Sequence, residues 1–292
     1  MSWFGPRRIG LALGSGAARG LAHIGVLKVL EAEGLRPDAI AGTSMGALIG
    51  AFYAAGISVD EMERIALEFD VREVTGVSEM ALTKGAVFSG AKVQAYLRRY
   101  LPATFEELRM PFGCVATDLT RNVPVRFTEG DLIAAVRASV SVPLAFLPVR
   151  MDDMLLVDGY VCDPVPVGLA RHLGGQTVVG VEVCGTGTVG PLPPAGKVGA
   201  VKLKDIAEGV RTGNVERGTG GMDVMGAVSE AFEGRLAAQA LRYADVVVSP
   251  EVHALTGFDY GQTAFAIAAG EEAMAAAVPR LRRKARRPAP VG

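Results

Sequence analysis

The sequence predicts an α/β fold: a mostly parallel sheet covered by helices on both faces. Two observations carry that expectation. Short apolar runs of strand length alternate along the chain with stretches whose apolar residues recur at helical spacing. Glycine-containing turns separate the two kinds of segment, most clearly at residues 14–20 and 42–46.

The elements follow in order. Residues 9–13 form a buried strand, and residues 14–20 a glycine-rich turn. Leu21, Ile24, Leu27, Val29 and Leu30 then mark a helix that ends near Gly34, a residue suited to the position after a helix C-cap. Residues 39–42 are a second strand, residues 47–55 a second helix, and Ser58 opens a third, with Asp60 and Glu61 in its first turn. Further on, residues 112–116, 123–127, 155–157, 177–183 and 244–249 read as strands. Residues 131–138, 167–173 and 262–277 read as helices, and residues 201–242 as helical with glycine interruptions. The glycine- and proline-rich stretch within residues 185–221 is expected to be a mobile loop, with a lid over a site as an alternative.

Composition narrows the function classes. The 292 residues carry 30 Lys and Arg against 31 Asp and Glu, a formal charge of −1, which argues against nucleic acid as a partner. Half the residues are hydrophobic, which excludes a disordered chain. Cys114, Cys162 and Cys184 form no CxxC pair, so neither a disulfide framework nor a metal site is expected, and no cofactor is called for. The first eight residues hold no apolar signal segment, and the expectation is a cytoplasmic protein. Residues 8–280 are expected to form one catalytic domain. The Arg- and Lys-rich residues 281–292 are read as a disordered tail, with peripheral contact to an anionic membrane as the alternative.

Two motifs carry chemistry. Gly42-Thr43-Ser44-Met45-Gly46 fits G-x-S-x-G between a strand and a helix, the setting that presents a nucleophilic serine on a tight turn. The bland reading is a serine N-cap between glycines. Gly14-Ser15-Gly16-Ala17-Ala18-Arg19-Gly20 is a phosphate-cradling turn, a plain β–α turn, or a row of amides for a developing oxyanion. Ser44 follows Gly16 by 28 residues, about one βαβ unit. The two turns therefore open at the same edge of a parallel sheet, which favours the oxyanion reading and acyl transfer. His23, His172 and His253 sit in no distinctive motif, whereas Asp158-Gly159 ends an apolar run. As residues, Asp158 and Gly159 read equally as a strand-end turn and as a site carboxylate.

Taken in order, these residues resemble the bacterial branch of the patatin-like phospholipase family over residues 8–280. The likeness rests on the loop Ser15-Gly16-Ala17-Ala18-Arg19-Gly20, the elbow Gly42, Ser44, Met45 and Gly46, and Asp158-Gly159 followed by Asp163-Pro164. Ala116-Thr117-Asp118-Leu119 and Arg137-Ala138-Ser139 add to it. Ser15 and Ala17 stand where that family writes glycine. The resemblance implies a three-layer α/β/α sandwich and a serine hydrolase of lipid acyl esters. It also implies a Ser44–Asp158 dyad without histidine and an oxyanion loop over residues 15–20. Two alternatives are a Ser44–Asp158–His253 triad on an α/β-hydrolase fold and a lipid-binding protein with little turnover.

Overall fold

A computed structural model describes residues 7–75, 88–184, 221–255, 257 and 259–286, and of residues 221–227 the backbone only. One eight-stranded sheet organises them, in the order β5-β6-β3-β2-β1-β7-β8, with β4 on the free side of β3. Strands β1 (Ile9–Leu13), β2 (Ala39–Thr43), β3 (Phe112–Asp118), β7 (Thr177–Val181) and β8 (Val246–Val248) run parallel. Strands β4 (Val123–Phe127), β5 (Val149–Met151) and β6 (Met154–Asp158) add antiparallel pairings at one side. The mostly parallel α/β expectation therefore holds, and the antiparallel wing is an addition to it.

Strand periodicity sorts the core into two layers. Ile9, Leu11 and Leu13 of β1 point to one face, where they join α1 (Ala22–Ala32), α2 (Met45–Ala55), α3 (Val59–Glu68) and α9 (Thr263–Ala285). Short helices α4 (Arg72–Thr75) and α5 (Ala91–Leu97), with α6 (Leu132–Ser139), complete that side. Ala12 points to the other face, which α7 (Val167–His172) and α8 (Gly221–Leu241) cover. Helices on both faces of a sheet make the three-layer sandwich.

Register decides where the site forms. Strand β4 pairs with Cys114–Asp118 along one edge of β3, so β2 and β6 share the other edge. They run head-on: β2 ends with Thr43 beside Val115, and β6 ends with Asp158 beside Ala116. The C-terminal ends of a parallel and an antiparallel strand thus meet in mid-sheet. Gly159 fits at this junction because a Cβ there would lie 2.3 Å from the Val115 carbonyl oxygen and 2.9 Å from Thr43.

One boundary differs from expectation. The tail read as starting at residue 281 is helical through Ala285, because Leu281 and Ala285 continue the buried stripe of Met274, Ala277 and Val278. Its basic residues lie on the outer side, where Arg282 pairs with Glu33 at 2.6 Å. Pro279 is accommodated inside the helix. Residues 287–292 and the proposed loop or lid at 185–220 lie outside the described residues. Helix α8 meets the helical reading of residues 201–242 from Gly221 onward. Among the described residues, no helix is long and apolar enough to cross a membrane.

Candidate active site

Ser44 sits in the turn between β2 and α2 with φ 55° and ψ −121°, a conformation that L residues avoid and that costs on the order of 1–3 kcal/mol. The neighbouring glycines make the turn feasible. A Cβ on Gly42 would lie 2.3 Å from the Gly46 carbonyl oxygen, and one on Gly46 would lie 2.2 Å from that of Leu13. The Ser44 N–H donates to the Ser139 hydroxyl at 3.0 Å, which anchors the elbow to the end of α6. Ser139 belongs to the Arg137-Ala138-Ser139 stretch of the family resemblance, and no local signal gives it this contact.

The Ser44 hydroxyl donates directly to Asp158 Oδ2 at 2.6 Å. The Tyr160 N–H donates to Oδ1 at 3.0 Å and fixes the carboxyl plane. Asp158 has no solvent exposure. Burial penalises its charged form and pushes its pKa up to about 8, although the Ser44 and Tyr160 hydrogen bonds pull the other way and Glu233 adds to the rise. No imidazole stands between serine and carboxylate. His172 and His253 are exposed, while His23 is fully buried. His23 Nε2 donates to the Gly14 carbonyl at 2.8 Å, and burial drives its pKa down to about 4. It is a neutral brace for the glycine loop.

That loop adjoins the elbow. A Cβ on Gly20 would lie 2.6 Å from Met45 Cγ, so the 3₁₀ turn Ala17–Leu21 and the start of α2 touch. Gly16 has φ 157° and no room for a side chain, with Val183 Cγ2 2.3 Å from its would-be Cβ. Ala17, where glycine was the family expectation, holds φ 49° and so keeps the left-handed turn with a methyl group in place. Ser15 and Ala18 donate their N–H groups to Pro164 and Gly257, but among the described residues no backbone carbonyl takes those of Gly16, Ala17 or Met45. Free amides beside a nucleophile suit a developing oxyanion. A phosphate-cradling turn of the dinucleotide type would want a free acidic side chain about twenty residues on. Asp38 accepts the Ile9 N–H at 2.6 Å and Glu33 pairs with Arg282, both within the scaffold.

A second set of contacts had no sequence signal. Helix α8 lays Ser229, Glu230 and Glu233 onto the two loops. The Ser15 hydroxyl donates to Glu233, Arg19 pairs with Glu230, and Tyr160 shares a 2.7 Å hydrogen bond with Ser229. The Cys184 thiol donates to the same Glu233 carboxyl at 3.2 Å. Burial raises the Glu233 pKa, opposed by the hydrogen bonds from Ser15 and Cys184 and by the Arg19 charge. Among the described residues, no cluster of His, Cys, Asp and Glu could hold a metal ion.

Comparison with known proteins places these features. The chain is 36% identical over 180 residues to an uncharacterized NTE family protein of Mycobacterium tuberculosis, covering 61% of this chain and 50% of that one. It is 35% identical over 183 residues to human patatin-like phospholipase domain-containing protein 6, covering 60% of this chain and 13% of that one. Lysophospholipase nte1 of Aspergillus fumigatus is 31% identical over 186 residues, covering 61% and 12%. The chain thus spans half or less of the length of these relatives. Among solved structures, Pseudomonas aeruginosa ExoU in complex with SpcU superposes with a TM-score of 0.48 at 14% identity, covering 97% of this chain and 53% of that one. The model of the patatin-like phospholipase family matches residues 11–171, more than half of the chain, and the chain belongs to that family.

Proposed function

We propose that this chain is a serine hydrolase of lipid acyl esters that works through a Ser44–Asp158 dyad. The observation that carries the reading is the direct 2.6 Å hydrogen bond between a strained elbow serine and a fully buried carboxylate. Membership of a phospholipase family, with a relative named as a lysophospholipase, supports lipid esters as the substrate class.

The chemistry follows from the geometry. Ser44 Oγ attacks the ester carbonyl carbon as its proton passes to Asp158 Oδ2. The carbonyl oxygen, now negative, takes hydrogen bonds from the free amides of Gly16, Ala17 and Met45; one such donor is worth about 10²–10³ in rate. Collapse expels the alcohol, which leaves with the proton held by Asp158, and an acyl group remains on Ser44. Water then attacks that ester, gives its proton to Asp158, and the carboxylic acid departs as Ser44 regains its hydrogen.

A fluorophosphonate tests the class. The native protein is expected to gain one covalent adduct, located on Ser44 by peptide mass spectrometry, and Ser44→Ala none. A folded protein without an adduct would favour a lipid-binding role instead.

A further inference from the structure

We propose that the apolar slot between α2 and α3 is the acyl-chain site of this enzyme and that its length selects chains of about eight carbons. This rests on the dyad reading above, because the slot begins at Met45, the residue after Ser44.

Two stripes build the slot. Met45, Leu48, Ile49 and Phe52 recur at i, i+3, i+4 and i+7 along one face of α2. Met62, Ile65 and Ala66 on α3, with Phe69 just after its end, repeat the same spacing and form the facing wall. The short turn at residues 56–58 between α2 and α3 reverses the chain, which directs Phe69 back toward Met45 and leaves Met62 nearer the Phe52 end. One set of contacts agrees with this direction, although the Phe69 ring also lies 5.7 Å from that of Tyr96. The Phe69 ring lies 5.4 Å from that of Tyr260. The same segment meets the oxyanion loop, where the Ala18 N–H donates to the Gly257 carbonyl at 3.1 Å. The mouth therefore lies beside the elbow and the loop, and the buried Phe52 and Met62 close the floor.

The slot is shaped for one hydrocarbon chain. It is narrow, with a cavity volume of about 40 Å³. No polar surface lines it among the described residues, which disfavours a head group or ordered water. Its depth follows from the helix. Seven residues from Met45 to Phe52, at about 1.5 Å each, give ~10 Å. An extended chain with C–C bonds of about 1.5 Å advances ~1.3 Å per carbon, so about eight carbons fill it.

The test is a chain-length series of monomeric acyl esters, from acetyl to palmitoyl, with the full chain. The expected kcat/KM rises up to about fourfold per methylene as each is buried, peaks near eight carbons, then falls. Ala66→Phe plugs the slot at the level of Ile49 and lowers the octanoyl-to-acetyl ratio at least tenfold. Ala66→Leu serves if the larger ring prevents folding. Independently of turnover, octanoate raises the Tm of Ser44→Ala and acetate does not. A flat profile, a rise continuing to palmitoyl, an unchanged octanoyl-to-acetyl ratio in both variants, or no Tm shift with octanoate overturns the proposal. Acetyl-ester turnover that survives Ser44→Ala overturns the dyad reading instead, and the octanoate Tm measurement still judges the slot.

Discussion

The buried state of Asp158 makes the pH dependence of turnover a sharp expectation. A general base works only when ionised, and burial pushes this carboxyl up to about 8. With that value, about a tenth of the native protein carries the ionised base at pH 7 and about a hundredth at pH 6. The kcat/KM should therefore fall about tenfold per unit as pH drops below 8, and level off above it. Stability moves the opposite way. Between about pH 4 and pH 8 the unfolded chain has released this proton while the native protein still holds it. Rising pH then destabilises the native state by up to about 1.4 kcal/mol per unit through this group. Asp158→Asn has no proton to lose, so its Tm advantage over the native protein should grow from pH 5 to pH 8. The assay is a pH-stat measurement of acid release from a short ester, paired with thermal melts of both proteins across the same range. Activity that stays level from pH 5 to pH 9, together with parallel Tm curves, would refute the argument that burial controls this carboxyl.

Two further expectations concern the supports of the site. Ser139→Ala leaves the buried Ser44 N–H without its acceptor, which should cost about 1–3 kcal/mol in denaturant melts and lower kcat as the elbow relaxes. His23→Ala should lower both stability and kcat by freeing the Gly14 carbonyl, whereas His23→Gln, which keeps a donor, should restore part of each. Neither variant should remove a limb from the pH profile, because His23 is neutral throughout the working range.

The parts of the site that are local in sequence were legible from it. Gly42, Ser44 and Gly46 form one turn, and the loop of Gly16 and Gly20 precedes it by one βαβ unit, so spacing alone brought those two together. Asp158 was different. As a residue it read equally as a strand-end turn, and only resemblance to a family paired it with Ser44. Its position depends on β2 and β6 meeting end to end along one edge of β3, a register that no local pattern encodes. The seat of α8 was invisible for the same reason, since Glu233 reaches Ser15 across 218 positions. The extent of α9 was missed because Pro279 and the arginines after it look like a helix end, while the buried stripe through Leu281 and Ala285 outweighs both.

The dyad is tested most directly by comparing kcat/KM for a short acyl ester in the native protein and in Asp158→Asn at pH 9, where the native base is ionised. Asparagine keeps the shape and the Tyr160 contact but accepts no proton from Ser44. A loss of about 10²–10⁴ with an intact fold is the predicted result. Turnover within a few fold of the native protein would contradict the account.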